Sequence, residues 1–296
     1  MKFGQVEDPS LVDFTLPKDH LRTKAILEAN KSGFKNLEVG CAKWNKTDLK
    51  GFYPKGTKDE LTYYATQFNS IELNATFYGM PSPEQVLTWK DKTPENFKFF
   101  PKITNTVSHF RRLKDVLDPV TQFSTAVLNF GEKLGMVFLQ LHDNFKPKDF
   151  DRLEKFVKEW PQEIPLAVEL RNTEWFVDEE ILDKTCQLFE DYSITNIIVD
   201  TAGRRDMLHM RLTTTSAFIR YVGANADSDY DRLNDWLERL TEWKEQGLEN
   251  AYFFVHQNIE KASPLLSAHF IREINSTWGT DLKIPQMAVI EPLTLF

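Results

Sequence analysis

The chain has 296 residues, of which 41% are hydrophobic and 27% are charged, a size and composition that suit one barrel domain with a large core. Its 44 acidic residues outnumber its 36 basic residues, which gives a formal net charge of -8. This balance excludes a global positive field that would draw the protein to nucleic acid or to an anionic membrane. A local basic pocket would still allow a nucleic-acid contact, which the net charge does not favour.

Cysteine motifs and targeting segments are not visible in the sequence. Cys41 and Cys186 are far apart, so they offer neither a disulfide framework nor a CxxC zinc or redox motif. The first 18 residues lack a basic stretch followed by an apolar one, and no later run approaches the roughly 18 apolar residues of a membrane span. We therefore expect a cytoplasmic protein with no membrane partner, and the sequence predicts no oligomeric state.

Eight short apolar runs, separated by longer segments with helical patterning, predict parallel strands covered by helices. The runs cover residues 37–41, 70–78, 97–103, 136–141, 165–171, 195–200, 217–222 and 251–256. Strands that alternate with helices without a linker predict a single-domain α/β fold, the (β/α)8 TIM barrel. We expect residues 37–282 to form the barrel, residues 1–36 to be an N-terminal extension packed on it, and residues 283–296 to be a C-terminal tail.

Helix start signals lie between the predicted strands. Residues 57–60 have a capping-box pattern, and Ser82 and Asp118 each precede a proline, which suits the first position of a helix. Further helices are predicted over residues 149–160, 178–192, 229–246 and 261–276. Residues 200–217 are typical of a loop, so the sixth helix is expected to be short or absent.

The polar residues of most predicted strands come last and on one face. Strand side chains alternate between two faces. In strand two the apolar residues suit the helix layer; they are Ile71, Leu73, Ala75 and Phe77. The other residues of strand two are therefore expected to face the barrel axis. The same reasoning directs the following residues inward: Glu72, Asn74, Thr76, Tyr78, Phe100, Lys102, Phe138, Gln140, His142, Ala167, Glu169, Arg171, Ile198, Asp200, Phe218, Arg220, Phe254 and His256. TIM-barrel enzymes place their chemistry at the C-terminal ends of the strands, so these polar groups predict a site there.

The inward charges also allow a purely structural interpretation. Three inward acidic side chains equal three inward basic ones in number, so all six would satisfy one another as an internal ion network. Clusters of this kind mark functional sites often, but a structural network has the same composition.

Several local strings occur together in a fixed order. They are VGCAKW over residues 39–44, GFYP over 51–54, FNSIELNATFY over 68–78, SH at 108–109, LQL over 139–141 and AVELR over 167–171, followed by Trp175. In this combination the chain resembles the YecE-like family, a TIM-barrel family described as domain of unknown function 72, over about residues 37–270. The resemblance implies the barrel and names no reaction.

An anion is the substrate that the predicted site favours. Lys102, Arg171 and Arg220 would converge with His109, and guanidinium groups donate in a planar fork that matches phosphate or carboxylate. The remaining substrate-binding candidates are Asn74, Tyr78, Gln140, His256, Trp44 and Trp175, of which the aromatic ones would form a wall for a sugar or base or simply pack the loops. We therefore predict an anionic small molecule as the partner.

Carboxylates are the predicted catalytic groups. Glu169 and Asp200, on adjacent strands, are the candidate general acid and base, and Glu72 is a third candidate. With an anion bound beside them, they predict a hydrolase or lyase that acts on a phosphorylated or carboxylated small molecule.

Two other functions stay open at this point. A non-catalytic protein would hold an anionic metabolite or a nucleic-acid segment in the same mouth, with Glu169 and Asp200 tied up in salt bridges. A metal-dependent phosphoesterase or isomerase would use His109, His142 and His256 with the carboxylates, but the sequence has no compact ligand motif. We therefore predict no metal and no cofactor.

Overall fold

Parallel strands alternate with helices through residues 4–288, the part of the chain that this computed structural model describes. The strands in that part are β1 Asn36–Cys41, β2 Ser70–Leu73, β3 Lys98–Pro101, β4 Val137–Gln140, β5 Leu166–Glu169, β6 Thr195–Asn196, β7 Ile198–Thr201, β8 Ser216–Gly223 and β9 Asn250–Gln257. Most of their residues are buried, as expected for parallel strands covered by helices. Together with the helices they form a single-domain mixed α/β fold.

The strands lie in two parallel sheets that are linked at two places. One sheet has the order β3-β2-β1-β9-β8-β7, and the other has the order β4-β5-β6. Parallel bridges between Phe99 and Leu134 and between Lys102 and Phe138 connect the β3 side to the β4 side. Ile197 alone separates β6 from β7. The C-terminal ends of the strands of both sheets therefore lie on one face of the molecule, which we call the mouth.

Helices follow most strands. In the described residues they are α1 Leu21–Ala29, α2 Glu60–Ala65, α3 Ala75–Tyr78, α4 Pro83–Asp91, α5 Leu117–Val127, α6 Phe150–Glu159, α7 Glu174–Val177, α8 Glu179–Asp191, α9 Ser228–Gln246 and α10 Ser263–Trp278. Residues 202–215, all of which the structure describes, contain the 3-10 helix Ala202–Met207 and no α-helix, in agreement with the expected short or absent sixth helix.

The helix start signals are confirmed at one position and wrong at another. The Ser82 hydroxyl accepts a hydrogen bond from the backbone N–H of Gln85, and Pro83 occupies the first turn of α4 as predicted. Asp118 is not the N-cap of α5, because the helix begins at Leu117 and places Asp118 inside its first turn. An acidic residue there still suits the helix dipole, which explains the similar sequence signal.

Two separate apolar clusters make the core. The larger one fills the space between the sheets and the helices. The smaller one, which we call the inner cluster, contains residues from strands of both sheets. It consists of Phe100, Met136, Phe138, Ala167, Ile197, Val199, Phe218, Tyr252 and Phe254. Five of its members were predicted to face inward, so the alternation argument holds for β3, β4, β5, β8 and β9.

Strand two is shorter than predicted. β2 ends at Leu73, and Asn74 adopts helical backbone angles (φ -77°, ψ -13°) that lead into α3. Its apolar alternation fits a strand and a single helical turn equally well, so the pattern does not separate them. Thr76 is nevertheless buried, and its hydroxyl donates to the carbonyl of Lys102 at 2.7 Å, which ties α3 to the end of β3.

Described residues near both ends of the chain contact the rest of the fold. Asp19 accepts hydrogen bonds from Arg239 at 2.7 Å and from the indole N–H of Trp243 at 2.9 Å. The backbone N–H of Ala288 donates to the carbonyl of Gly51 at 3.0 Å. The described residues do not include residues 1–3 and 289–296, and thus most of the predicted C-terminal tail. The domain limits and the cytoplasmic location stay predictions. Within residues 4–288 no helix is both long and apolar enough to cross a bilayer.

Candidate functional site

A buried ion pair between β2 and β8 forms the centre of the mouth. Arg220 donates through Nε and Nη2 to the two carboxylate oxygens of Glu72, both at 2.8 Å, in a bidentate pair. The Glu72 side chain is fully buried, and the Arg220 side chain is only 7% exposed. Burial alone would raise the pKa of Glu72, but Arg220 and then His256 outweigh it and hold the pKa well below its ordinary value. Glu72 is therefore ionised at neutral pH.

A second carboxylate shares the same guanidinium. Glu169, at the end of β5, also receives a short contact from Nη1 of Arg220, and its other oxygen accepts from Arg171 at 2.6 Å and from Gln140 at 2.9 Å. Burial opposes ionisation, yet Arg220 and Arg171 lower the pKa of Glu169 to about 2. A carboxylate with this pKa does not donate a proton at neutral pH.

Lys102 is the cation of the mouth that is least compensated. Its ammonium donates to the amide oxygen of Gln140 at 2.8 Å and lies 4.1 Å from the centre of the Phe77 ring. The residue is 6% exposed, and no carboxylate among the described residues forms a salt bridge with it. Burial and the neighbouring Arg220 lower the pKa of Lys102 to about 7. Lys102 can therefore gain or lose a proton near neutral pH.

Two histidines border this group. His256 Nε2 lies 2.9 Å from a carboxylate oxygen of Glu72, and its Nδ1 lies 3.9 Å from Glu260. His109 sits on a π-helical turn over Thr106–Phe110, with Nδ1 at 2.9 Å from the hydroxyl of Ser108. Burial and Lys102 lower the pKa of His109 to about 4, so this imidazole is neutral at pH 7. It can take part in hydrogen bonding but not in charge pairing.

A cavity of about 240 Å³ opens beside Glu72. It is lined by Ala42, Lys43, Trp44, Asn45, Glu72, Asn74, Ala75 and Tyr78. A larger cavity, of about 540 Å³, lies elsewhere, between residues 12–16 and α9, and the polar residues of the mouth do not line it. The cavity beside Glu72 adjoins the ion cluster, which consists of Glu72, Arg220 and Glu169.

Asp200 is not part of the mouth, so the predicted acid–base pair with Glu169 is wrong. Its carboxylate contacts Arg205 and Arg232 and accepts from the indole N–H of Trp236 on α9 at 2.7 Å. Ile197 and Val199, rather than Ile198 and Asp200, face the inner cluster. Because residues 197–199 are all apolar, the sequence does not determine which of them face the inner cluster. The prediction assigned Asp200 to the inner face, and this was wrong.

The aromatic candidates separate into two groups. Trp175 is fully buried, stacks on Phe145 and donates its indole N–H to the Phe145 carbonyl at 2.9 Å, so it packs the loops and does not reach the mouth. Trp44 and Tyr78 line the cavity, although Tyr78 does so from α3 and is 76% exposed, instead of pointing inward from a strand.

The histidines of the metal hypothesis lie in two places. The rings of His109 and His142 are 5.1 Å apart, whereas His256 lies at Glu72. Within residues 4–288, no group of three or more His, Cys, Asp and Glu side chains has the arrangement of a metal site. The three histidines that the metal hypothesis would use are thus distributed and do not converge.

A family model described as "Protein of unknown function DUF72" matches residues 38–288. The chain belongs to the DUF72 family. The resemblance to YecE-like proteins is thereby confirmed, and the family description assigns no activity.

Known relatives of this DUF72 chain agree in sequence and fold. UPF0759 protein YecE of Escherichia coli K12 is 28% identical over 242 residues, which cover 74% of this chain and 86% of YecE. UPF0759 protein YunF of Bacillus subtilis is 27% identical over 149 residues, 47% of this chain and 52% of YunF. The crystal structure of a DUF72 family protein from Thermotoga maritima is similar with a TM-score of 0.68 and 25% identity, over 81% of this chain and all of that one. A DUF72 family protein from Enterococcus faecalis gives a TM-score of 0.64 at 18% identity, over 83% of this chain and 98% of that one.

Two neighbours of the DUF72 ion cluster were not found from the sequence, and a third was assigned to the wrong face of its predicted strand. Phe77 was assigned to the helix layer, but the start of α3 turns its ring over Lys102. Glu260 follows His256 by four residues, a spacing that a search for histidine–carboxylate pairs would have found. Asn45 lies in a loop, and its position at the cavity has no strand periodicity that would reveal it.

Proposed function

We propose that the two sheets close into a (β/α)8 barrel and that its mouth is the active site of a hydrolase or lyase for a small phosphorylated or carboxylated molecule. The parallel bridges between the β3 and β4 sides, the single residue between β6 and β7, and the inner cluster drawn from both sheets support the closure. Polar groups that end several strands of such a barrel support the location.

Lys102, and not a carboxylate, is the proton-transfer group in this proposal. The observation that carries it is a buried lysine that directly follows β3 and whose ammonium makes one hydrogen bond within residues 4–288. It lies beside a cluster whose carboxylates are already bound by guanidinium groups. In its neutral form the amine accepts a proton from the substrate or from water, and as an ammonium it returns it. Glu72 and Glu169 hold Arg220 in place.

The anionic group of the substrate is placed on the Lys102 side of the cluster. Arg171 lies there, and its side chain is 15% exposed, so it reaches the opening of the mouth. Neutral His109 provides a further polar partner next to Lys102. On the other side, the negative charge of Glu72 repels an anion.

A non-catalytic binding protein is the second candidate, and one observation favours it. Both carboxylates of the mouth are saturated by hydrogen bonds, which is the arrangement expected of a binder that needs no proton transfer. The two candidates differ in whether a bound anion is turned over.

Substitution of Lys102 separates these functions. We expect Lys102→Met to lower kcat by about 10²- to 10⁴-fold while binding persists, because a general base contributes about that much. Wild-type activity should rise with pH through about 7, since the neutral amine is the active form. The measurement is mass-spectrometric consumption of a defined mixture of sugar phosphates and carboxylic acids, compared with the exposed control Lys92→Met. Unchanged turnover in Lys102→Met contradicts the proposal, and binding without turnover in the wild type favours the binding protein.

A further inference from the structure

The cavity beside Glu72 has the size of a single ring. Its volume is about 240 Å³, whereas pockets for drug-sized ligands measure about 300–1,000 Å³. A dinucleotide or a peptide segment is too large for it. A monocyclic group that continues from a substrate in the mouth fits this space.

Two aromatic side chains border the cavity. Trp44 is held by an edge-to-face contact with Trp89, with ring centroids 6.1 Å apart, and its carbonyl accepts a short hydrogen bond from the Tyr53 hydroxyl. Tyr78 is 76% exposed, and its ring contacts Phe77 edge-to-face at 5.1 Å. Such rings offer apolar faces for C–H groups, and each also carries a polar atom at its edge.

The polar floor of the cavity suits hydroxyl groups. Asn74 donates to Glu72 at 2.8 Å, and its amide oxygen accepts no hydrogen bond from the residues that the structure describes. Lys43, the cation of the lining, lies 3.4 Å from Asp48. Glu72 already accepts four hydrogen bonds, from Arg220, Asn74 and His256. The floor therefore offers neutral amide groups beside a fixed negative charge, which disfavours an anion and accommodates a hydroxylated ring.

We propose that this cavity binds the sugar ring of a phosphorylated or carboxylated sugar, whose anionic group lies across the ion cluster toward Arg171 and Lys102. Only the position of the anionic group rests on the proposed function. The ring subsite itself is carried by Trp44, Tyr78 and Asn74.

Calorimetric titration with matched probes tests the ring subsite. Glucose 6-phosphate and ribose 5-phosphate carry ring and phosphate, glycerol 3-phosphate carries the phosphate without a ring, and glucose and ribose carry the ring alone. We expect at least one sugar phosphate to bind the wild type about 10-fold more tightly than glycerol 3-phosphate, a gain equivalent to one good aromatic contact. Trp44→Leu and Tyr78→Leu should reduce the gain to less than about 3-fold, which corresponds to under 1 kcal/mol. The control Phe110→Leu removes an aromatic residue of equal exposure that does not line the cavity and should keep the full gain.

The outcomes distinguish the ring subsite from the proposed function. If glycerol 3-phosphate binds as tightly as both sugar phosphates, or if the gain survives both cavity substitutions, the ring subsite is wrong and the anion site stands. If glucose or ribose binds in a Trp44-dependent manner and no phosphate improves the affinity, the ring subsite stands and the anionic substrate is wrong. If none of the probes binds, both are overturned. Circular dichroism melting of the Tyr78→Leu variant should be unchanged, because the side chain is exposed.

Discussion

Replacing Arg220 with methionine is expected to lower the free energy of unfolding by about 3–5 kcal/mol or more, the cost of leaving a buried charge without its partner. Arg220 is the shared counter-charge of Glu72 and Glu169, whose side chains are both fully buried. Without it, the two carboxylates would face each other across the mouth and would have to take up protons. Urea unfolding followed by circular dichroism measures the change, and the loss should shrink at low pH as the carboxylates become neutral.

Arg220→Lys is the matched variant. It keeps the positive charge but loses the planar fork that serves both oxygens of Glu72, so we expect a smaller loss than with methionine. If the methionine variant does not fold, the lysine variant still tests the point. If both variants lower the free energy of unfolding by less than about 1 kcal/mol, the ion pair contributes as little as an exposed one. That result would contradict a stabilising role for Arg220 between the two buried carboxylates.

Glu38→Gln is expected to stabilise the protein at alkaline pH. Glu38 lies on β1 opposite Tyr252 of β9, is 7% exposed, and has one carboxylate oxygen that is buried without a hydrogen-bond partner. Lys98 is the cation that acts on it, yet the Lys98 ammonium donates to the carbonyl of Glu132. Burial, only partly offset by Lys98, raises the pKa of Glu38 to about 8.

The sign of the pH dependence follows from this raised pKa. Between about pH 4.5 and 8 the unfolded chain has released the proton that the folded protein still holds, so the free energy of unfolding falls as the pH rises. At pH 9 the glutamine variant should be more stable than the wild type by on the order of 2–4 kcal/mol, from about 1.4 kcal/mol per pKa unit with allowance for relaxation. Glu28→Gln makes the same substitution at an exposed position and serves as the control. Parallel profiles for Glu38→Gln and the wild type between pH 5 and 9 would show that Glu38 ionises freely in the folded state.

The sequence predicts those parts of the fold that local physics determines. Alternation along β5 separates Leu166 and Val168, which belong to the larger core, from Ala167 and Glu169, which face inward. The cap at Ser82 is equally local, since one hydroxyl satisfies one helix N–H. The sequence alone therefore assigns several polar residues to one mouth, among them Lys102, Gln140 and Arg220.

The predictions that were wrong concern residues whose positions depend on tertiary contacts. Asp200 faces α9 because Trp236 and Arg232 provide its partners there, and no pattern near Asp200 records them. Tyr78 leaves the predicted strand because Asn74 takes helical angles, a choice that the alternation of small and apolar residues leaves undetermined. The proton-transfer role proposed for Lys102 also depends on the fold, because burial beside Arg220 lowers its pKa.

Nuclear magnetic resonance titration of protein labelled with ¹³Cε-lysine measures whether Lys102 exchanges protons near neutral pH beside the ion cluster. Lys102→Arg identifies the signal by its loss. We expect the Lys102 signal to titrate with a midpoint at about pH 7. A Lys102 signal that stays protonated until about pH 10, the ordinary range for lysine, would contradict this expectation.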